Sequence, residues 1–489
     1  NVQGNIKEDR GMDDKDTLAR LSWLNTYIGD EDIPLPPYTP VEVKDNKISI
    51  LDRDITLGED GLPLSITSRG NEILASPITF DIITEEKSET SSSQLLQENQ
   101  GLTFADFVSK TDNPFFEITT KTKTECEGCI TFSVTLKAKK HIETEDISLS
   151  IPVRKEIAEY MIGFGRQGGF RKGNIKWKWN KSRCDYRFWT GNTEAGIHLD
   201  LRHSHDTWDQ YFNYHFGNPP SWDNEGLGGA EVTERENDVL IKAFSGARTF
   251  EENEICEFNF RLHITPFHRQ IENHWDYSYT YSGKQTSAHY AHQHHADPCY
   301  PYINYPFFFM DRMKTKFEEY RKHFKGVNLY YTCREMSVHA PELWAFESLN
   351  YEIYEDGKEL ENTQKEIFLT LFGGKCAWLK EHLSIDCHPE WRSVLEQDEF
   401  DPAIGTLPVS RLSNFYIKGL DYILDKVPFD GVYIDTVKYS RSTMRRLAQV
   451  LYKKLGYARI NLHTYNMYNH FDTRTSPIVQ YMEHLPYMT

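Results

Sequence analysis

Residues 429–444, FDGVYIDTVKYSRSTM, decide how the second half of the chain folds. The apolar run Val432-Tyr433-Ile434 ends abruptly in a carboxylate, Asp435. A polar turn follows, then a helical pattern through Met444, Leu447, Val450 and Leu451. A β-branched apolar run that stops at an acid and precedes a helix reads as a buried parallel strand with the acid at its carboxyl end. In a (β/α) barrel that end of the strands is the catalytic face. An enzyme is the expectation.

The surrounding sequence supports a barrel from residue 267 onward. Strand-like runs alternate with helical ones: SAHYAHQHH, FMDRMKTKFEEYRKHF, VNLYYTC, SNFYIKGLDYILDKV, GVYID, MRRLAQVLYKKL and ARINLHTYN. Alternation at these lengths is the βαβ signature. The charged stretch 352–366 reads as an inserted loop. Before Pro266 the grammar differs. Short alternating strands with turn signals, such as ISILDRDITL, FEITTKT and ITFSVTLKA, predict a β-sandwich domain over 1–150. IKWKWNK, YRFWTG, AGIHLDL, DVLIKAFSG and CEFNFRLHITP predict a second β-rich domain over 151–266. A complete eight-unit barrel takes about 250 residues, and only five or so strand–helix units are legible in 267–489. The expectation is that further polypeptide, a C-terminal continuation or a second chain, completes it.

Composition narrows the class. Lys+Arg 55 against Asp+Glu 73 gives a net charge of −18, which disfavours nucleic acid as the main partner because phosphate binding needs a basic footprint. An aromatic share of 13% suits both a carbohydrate-active protein, since sugar C–H faces stack on rings, and large β-rich cores. No apolar run of about 18 residues is present, so no membrane span is expected. Eight cysteines, an even number, and the sequon Asn180-Lys181-Ser182 are compatible with a secreted, disulfide-bonded glycoprotein. Cys126-x-x-Cys129 lacks a second such pair, and its flank ITFSVTL reads as an ordinary strand, so neither zinc nor redox chemistry is implied.

Several stretches are idiosyncratic: RLSWLNTYIGDEDIPLPPYTPVEV, FWTGNTEAGIHLDL, PYINYPF, LYYTCREMSVHAPELWA, WLKEHL, SRLSNFYIKGLDYIL and DGVYIDTVKYSR. Across nearly the whole chain they resemble the bacterial glycoside-hydrolase-like proteins related to glycoside hydrolase family 123. The resemblance implies β-sandwich domains followed by a (β/α) barrel. It also implies exo-acting release of an N-acetylhexosamine by substrate-assisted catalysis, as in the family's β-N-acetylgalactosaminidases. That mechanism uses adjacent acids: one polarises the 2-acetamido group and its neighbour protonates the leaving oxygen. Here Asp435 is followed by Thr436, whose hydroxyl cannot serve as the acid near neutral pH. A rival reading follows, a non-catalytic glycan-binding or matrix protein that keeps the hydrolase fold.

The candidate catalytic residues are Asp435, Glu335 and Glu483. Asp435 is either the site acid or merely a helix N-cap. Glu335 follows the strand VNLYYTC on a βα loop, together with Arg334, His339 and Trp344, which could clamp a hydroxyl, donate a hydrogen bond and stack on a ring. Glu483 follows a short apolar run and is a candidate second acid. On the strand carrying the histidine run, His292 and His294 share a face. Two residues of certain geometry fall short of a metal site, so His294 is assigned to sugar contact and no metal is expected. Asn304, Tyr331, Tyr433, His463 and Asn466 complete the substrate-binding set, the last two following ARINL at a strand end. With no nucleophile elbow and no phosphate-binding glycine motif, neither serine-hydrolase chemistry nor a nucleotide or other cofactor is expected.

Overall fold

The computed structural model describes residues 22–85, 92–179, 187–202, 219–270, 274–281, 288–332, 335–342, 354–355, 358–359, 389–395, 399–406, 410–435, 440–463 and 482–489. They fall into two compact units. Residues 32–270 with 482–486 form one, and residues 22–31, 274–463 and 487–489 the other.

The first unit is built of antiparallel strands. Its nine-stranded sheet runs in the order Arg166–Phe170, Tyr160–Gly163, Arg187–Gly191, Gly196–Arg202, Ile255–Thr265, Cys129–Ala138, Phe116–Glu125, Phe104–Asp112 and Ser92–Gln100. A second sheet is ordered Ile175–Lys178, Gly229–Glu234, Asp238–Phe244, Ile142–Arg154, Arg248–Phe250, with Thr79–Thr84 also pairing to Ile142–Arg154. The sequence period of two explains the layering. In Cys129–Ala138 the residues Phe132, Val134 and Leu136 are all buried, and on Ile142–Arg154 so are Ile147, Leu149, Ile151 and Val153. All seven belong to a single hydrophobic cluster, the interior of a sandwich. Phe132 lies opposite Phe260 in register, and their rings stack 4.6 Å apart. A five-stranded meander from Glu42–Lys44 to Asn71–Glu72 completes the unit. Its buried Arg53 donates hydrogen bonds to the carbonyls of Glu127 (2.9 Å), Ile264 (3.2 Å) and Phe267 (3.0 Å). Gly128, at φ 90°, leaves the room for that guanidinium that a Cβ would occupy.

The second unit holds a parallel sheet of five described strands: β1 (Tyr279–Tyr281), β2 (Tyr290–Gln293), β3 (Gly326–Tyr330), β4 (Gly431–Asp435) and β5 (Ile460–His463), hydrogen-bonded in that order. Helix α1 (Met310–Tyr320) follows β2, α2 (Leu412–Leu424) precedes β4, and α3 (Arg441–Leu455) connects β4 to β5. Every residue of β3 is buried, as expected of a strand covered on both faces. This is the wall of a (β/α) barrel, the change of architecture expected after Pro266. Helix α3 starts at Ser440, whose hydroxyl accepts the Thr443 amide at 3.3 Å, and ends at Gly456 with φ 80°. Among the described cysteines, Cys126, Cys129, Cys256 and Cys299 are thiols. The other four and the sequon asparagine lie outside the described residues, as does most of 352–366 apart from the pairing of Tyr354–Glu355 with Lys358–Glu359.

Candidate active site

Alternation along the barrel strands aims one set of side chains inward: His292 from β2, Asn328 and Tyr330 from β3, Tyr433 and Asp435 from β4, His463 from β5. Register places His292 beside Asn328, Tyr330 beside Tyr433, and Asp435 beside His463. Asn328 stands opposite Gly431, where a Cβ would come within 2.9 Å of its Oδ1.

Asp435 is gripped at both carboxylate oxygens. The Tyr330 hydroxyl donates to Oδ2 at 3.1 Å, and His463 Nδ1 lies 3.3 Å from Oδ1. The Tyr433 hydroxyl shares a 2.8 Å hydrogen bond with the same His463 nitrogen, and the Thr332 hydroxyl donates to the Asp435 carbonyl at 3.1 Å. The carboxylate remains reachable, with 22% of the Asp435 side chain and 42% of the His463 side chain exposed. The capping alternative for Asp435 fails, because Ser440 caps helix α3.

The histidines divide electrostatically. The hydrogen bond to Asp435 raises the pKa of His463 against a smaller opposing effect of burial. Burial pushes His292 down to about 3. It pushes His294 down to about 4 even though Asp435 pulls the other way. Both are therefore neutral rings near pH 7. They pack on the Tyr433 ring, His292 stacked at 4.2 Å and His294 at 5.4 Å. The predicted shared face of His292 and His294 is present in the structure. Among the described residues no group of three or more His, Cys, Asp or Glu is placed to hold a metal ion.

The structure thus brings together Asp435, Tyr433, His463 and His294 of the residues singled out from sequence. Asn304, fully buried at φ 48°, braces the loop beside them. Its Nδ2 donates to the Glu335 carbonyl (3.1 Å) and its Oδ1 accepts the Thr332 amide (3.3 Å). Glu335 is fully buried on the short strand Glu335–Ser337, which pairs with Phe400–Gly405, and the Tyr416 hydroxyl also donates to its carbonyl. His339 stacks on Tyr302 at 4.7 Å. Tyr331 turns the other way, donating to the Tyr416 carbonyl of helix α2 at 2.8 Å. Glu483 belongs to the β-rich unit, where Arg261 lies 3.0 Å and Arg202 3.8 Å from its carboxylate. Arg334, Trp344, Asn466 and Thr436 lie outside the described residues. Sequence reasoning missed Tyr330 and Asn328. Asn328, a polar residue inside the apolar run VNLYY, carried a signal, whereas nothing local marked Tyr330 over Tyr331.

A strand-end carboxylate held by a phenol and an imidazole thus lies on the wall of a (β/α) barrel. The chain belongs to glycoside hydrolase family 123: residues 41–266 match the family's third domain and residues 268–489 its TIM-barrel domain. It is a glycoside hydrolase. No curated protein sequence matches it. Among solved structures it is similar to a family 36 α-galactosidase from Geobacillus stearothermophilus, with 8% identity, TM-score 0.34, and 92% of this chain and 74% of that one covered. It is also similar to an α-N-acetylgalactosaminidase from Bifidobacterium bifidum, with 8% identity, TM-score 0.32, and 90% and 83% covered. At that distance neither bears on the reaction.

Proposed function

We propose that the chain releases a terminal N-acetylhexosamine from a glycan by substrate-assisted hydrolysis. Asp435 is the residue that orients and polarises the 2-acetamido group. The observation that supports this most is the double grip on Asp435 by Tyr330 and His463, which fixes the carboxylate while leaving it open to a substrate N–H. In this reading the acetamido carbonyl oxygen attacks the anomeric carbon as the glycosidic bond breaks. Asp435 accepts a hydrogen bond from the acetamide nitrogen as positive charge develops there. An acid protonates the leaving oxygen, and water then opens the cyclic intermediate. Glu335 is the acid we assign, as the sequence-named carboxylate of the barrel unit other than Asp435. Its main chain is fixed by Asn304 and Tyr416, and its side chain is buried, so this role requires that substrate entry uncover it. His294, Tyr433 and His463 line the place where the sugar ring sits.

The test uses the intact chain and aryl 2-acetamido-2-deoxy-β-D-glycosides of the galacto and gluco series. Asp435→Asn should lower kcat by about 10²-fold or more. Glu335→Gln should abolish turnover of poor leaving groups and spare dinitrophenyl glycosides, which need no acid. Full activity in Asp435→Asn, or hydrolysis of sugars lacking the acetamido group at equal rate, sinks the proposal.

A further inference from the structure

Apart from the Asp435 cluster, the barrel unit contains a pocket of about 420 Å³ between the segment leading into α1 and the face of α2. That size admits a mono- or disaccharide. Its floor is Tyr305 and Phe415, both buried, with parallel rings 6.2 Å apart. Its rim is Phe308 and Tyr422, which are 38% and 43% exposed. Two charged side chains of opposite sign join this aromatic lining, the buried carboxylate of Glu342 and the ammonium of Lys418, which donates to Ser22 at 3.0 Å.

We propose that this pocket is a second saccharide-binding site that takes a pyranose ring of the glycan while Asp435 works elsewhere on it. The lining decides the chemistry of the occupant. Exposed rings offer flat faces for the C–H surface of a sugar. A carboxylate accepts from hydroxyls and an ammonium donates to them. A purely apolar occupant would strip water from both charges and return nothing. A sugar meets both demands at once. None of the lining residues takes part in the cluster around Asp435, so the site anchors substrate without doing chemistry, and its role does not depend on which sugar Asp435 acts on.

The experiment is calorimetric titration of the intact Asp435→Asn chain with tetra-N-acetylchitotetraose. Tyr422→Ala and Phe308→Ala in that background should each weaken binding about fivefold or more, while Tyr422→Phe keeps it. Unchanged melting temperatures show that these exposed substitutions leave the fold alone. With Asp435 restored, Tyr422→Ala should hydrolyse a small aryl glycoside at the parent rate. Parent-like binding by both alanine variants, no binding by the parent, or loss of binding of an apolar dye but not of the sugar in Tyr422→Ala would each overturn the site. Because binding is read without turnover, a chain inactive on aryl acetamido glycosides would count against the proposed reaction and leave this result standing.

Discussion

Tyr330 and Tyr331 are neighbours of one type with opposite duties. In a strand consecutive side chains face opposite ways, so a shift of one residue exchanges interior for exterior. Tyr330 reaches Asp435, and Tyr331 reaches the helix behind. Tyr330→Phe should therefore lower kcat, by about tenfold for a lost positioning hydrogen bond, with little change in stability. Tyr331→Phe should cost about 1 kcal/mol of stability and leave kcat alone. Kinetics and thermal melts on the pair separate the two roles. From sequence the doublet was ambiguous, and Tyr331 was the residue expected to bind sugar. Asp435 was readable because a charge ends its apolar run, whereas nothing local in a tyrosine pair says which ring faces in.

The buried histidines set an acid limit. His292 and His294 stay neutral when folded but take up protons near pH 6.5 once unfolded. Their contribution is thus complete above about pH 6.5 and is lost as pH falls toward their folded values. At pH 5 the loss is at most about 2 kcal/mol for each ring. His463 acts oppositely: its raised pKa adds stability below about pH 6.5 that disappears as pH rises through the folded value. Urea denaturation at pH 7 and pH 5 should show a net fall, and His292→Gln should remove part of it. An identical pH dependence in that variant would mean the ring is not buried neutral.

At the level of elements, period and punctuation made the parallel strands and their helices readable, because a buried strand and an amphipathic helix differ over a few residues. The start of α3 was less clear, since Asp435 has capping chemistry and Ser440 was not singled out. The structure gives the cap to Ser440. Ser440→Ala should cost about 1 kcal/mol, and Asp435→Asn close to nothing, both measured by thermal denaturation. The last strand of the described barrel is also closed locally: the Thr489 amide donates to the Ile460 carbonyl at 3.1 Å, a pairing across distant sequence that no local pattern announces.

For the whole molecule, the switch from sandwich to barrel near Pro266 could be read from periodicity, but the partners of Glu483 could not. Its carboxylate lies among Arg202, Arg261, Arg187 and Asp200, all drawn from strands far upstream. Burial raises the Glu483 pKa despite its arginines, while at Asp200 burial, the largest single effect, is outweighed by Arg187, Arg202, His198 and Arg261 together, which hold the carboxyl down. Removing one member of such a cluster leaves buried charge uncompensated, so Glu483→Ala should destabilise by about 3–5 kcal/mol, read from denaturant midpoints. Glu483→Gln tests the catalytic role expected for it: a fall in kcat with stability intact would support that role.

The chain visits both units more than once. Residues 22–31 belong with the barrel, where Arg446 holds the carbonyls of Ile28 and Thr26, and residues 482–486 belong with the sandwich. A recombination event at the seam near residue 267, where the two family domains meet, would therefore break more than a linker. The upstream piece would carry three arginines stripped of Glu483, and the downstream piece would carry an Arg446 with no carbonyls to hold. Each piece would lose contacts that the other carries, so segments 22–31 and 482–486 tie the inheritance of sandwich and barrel together.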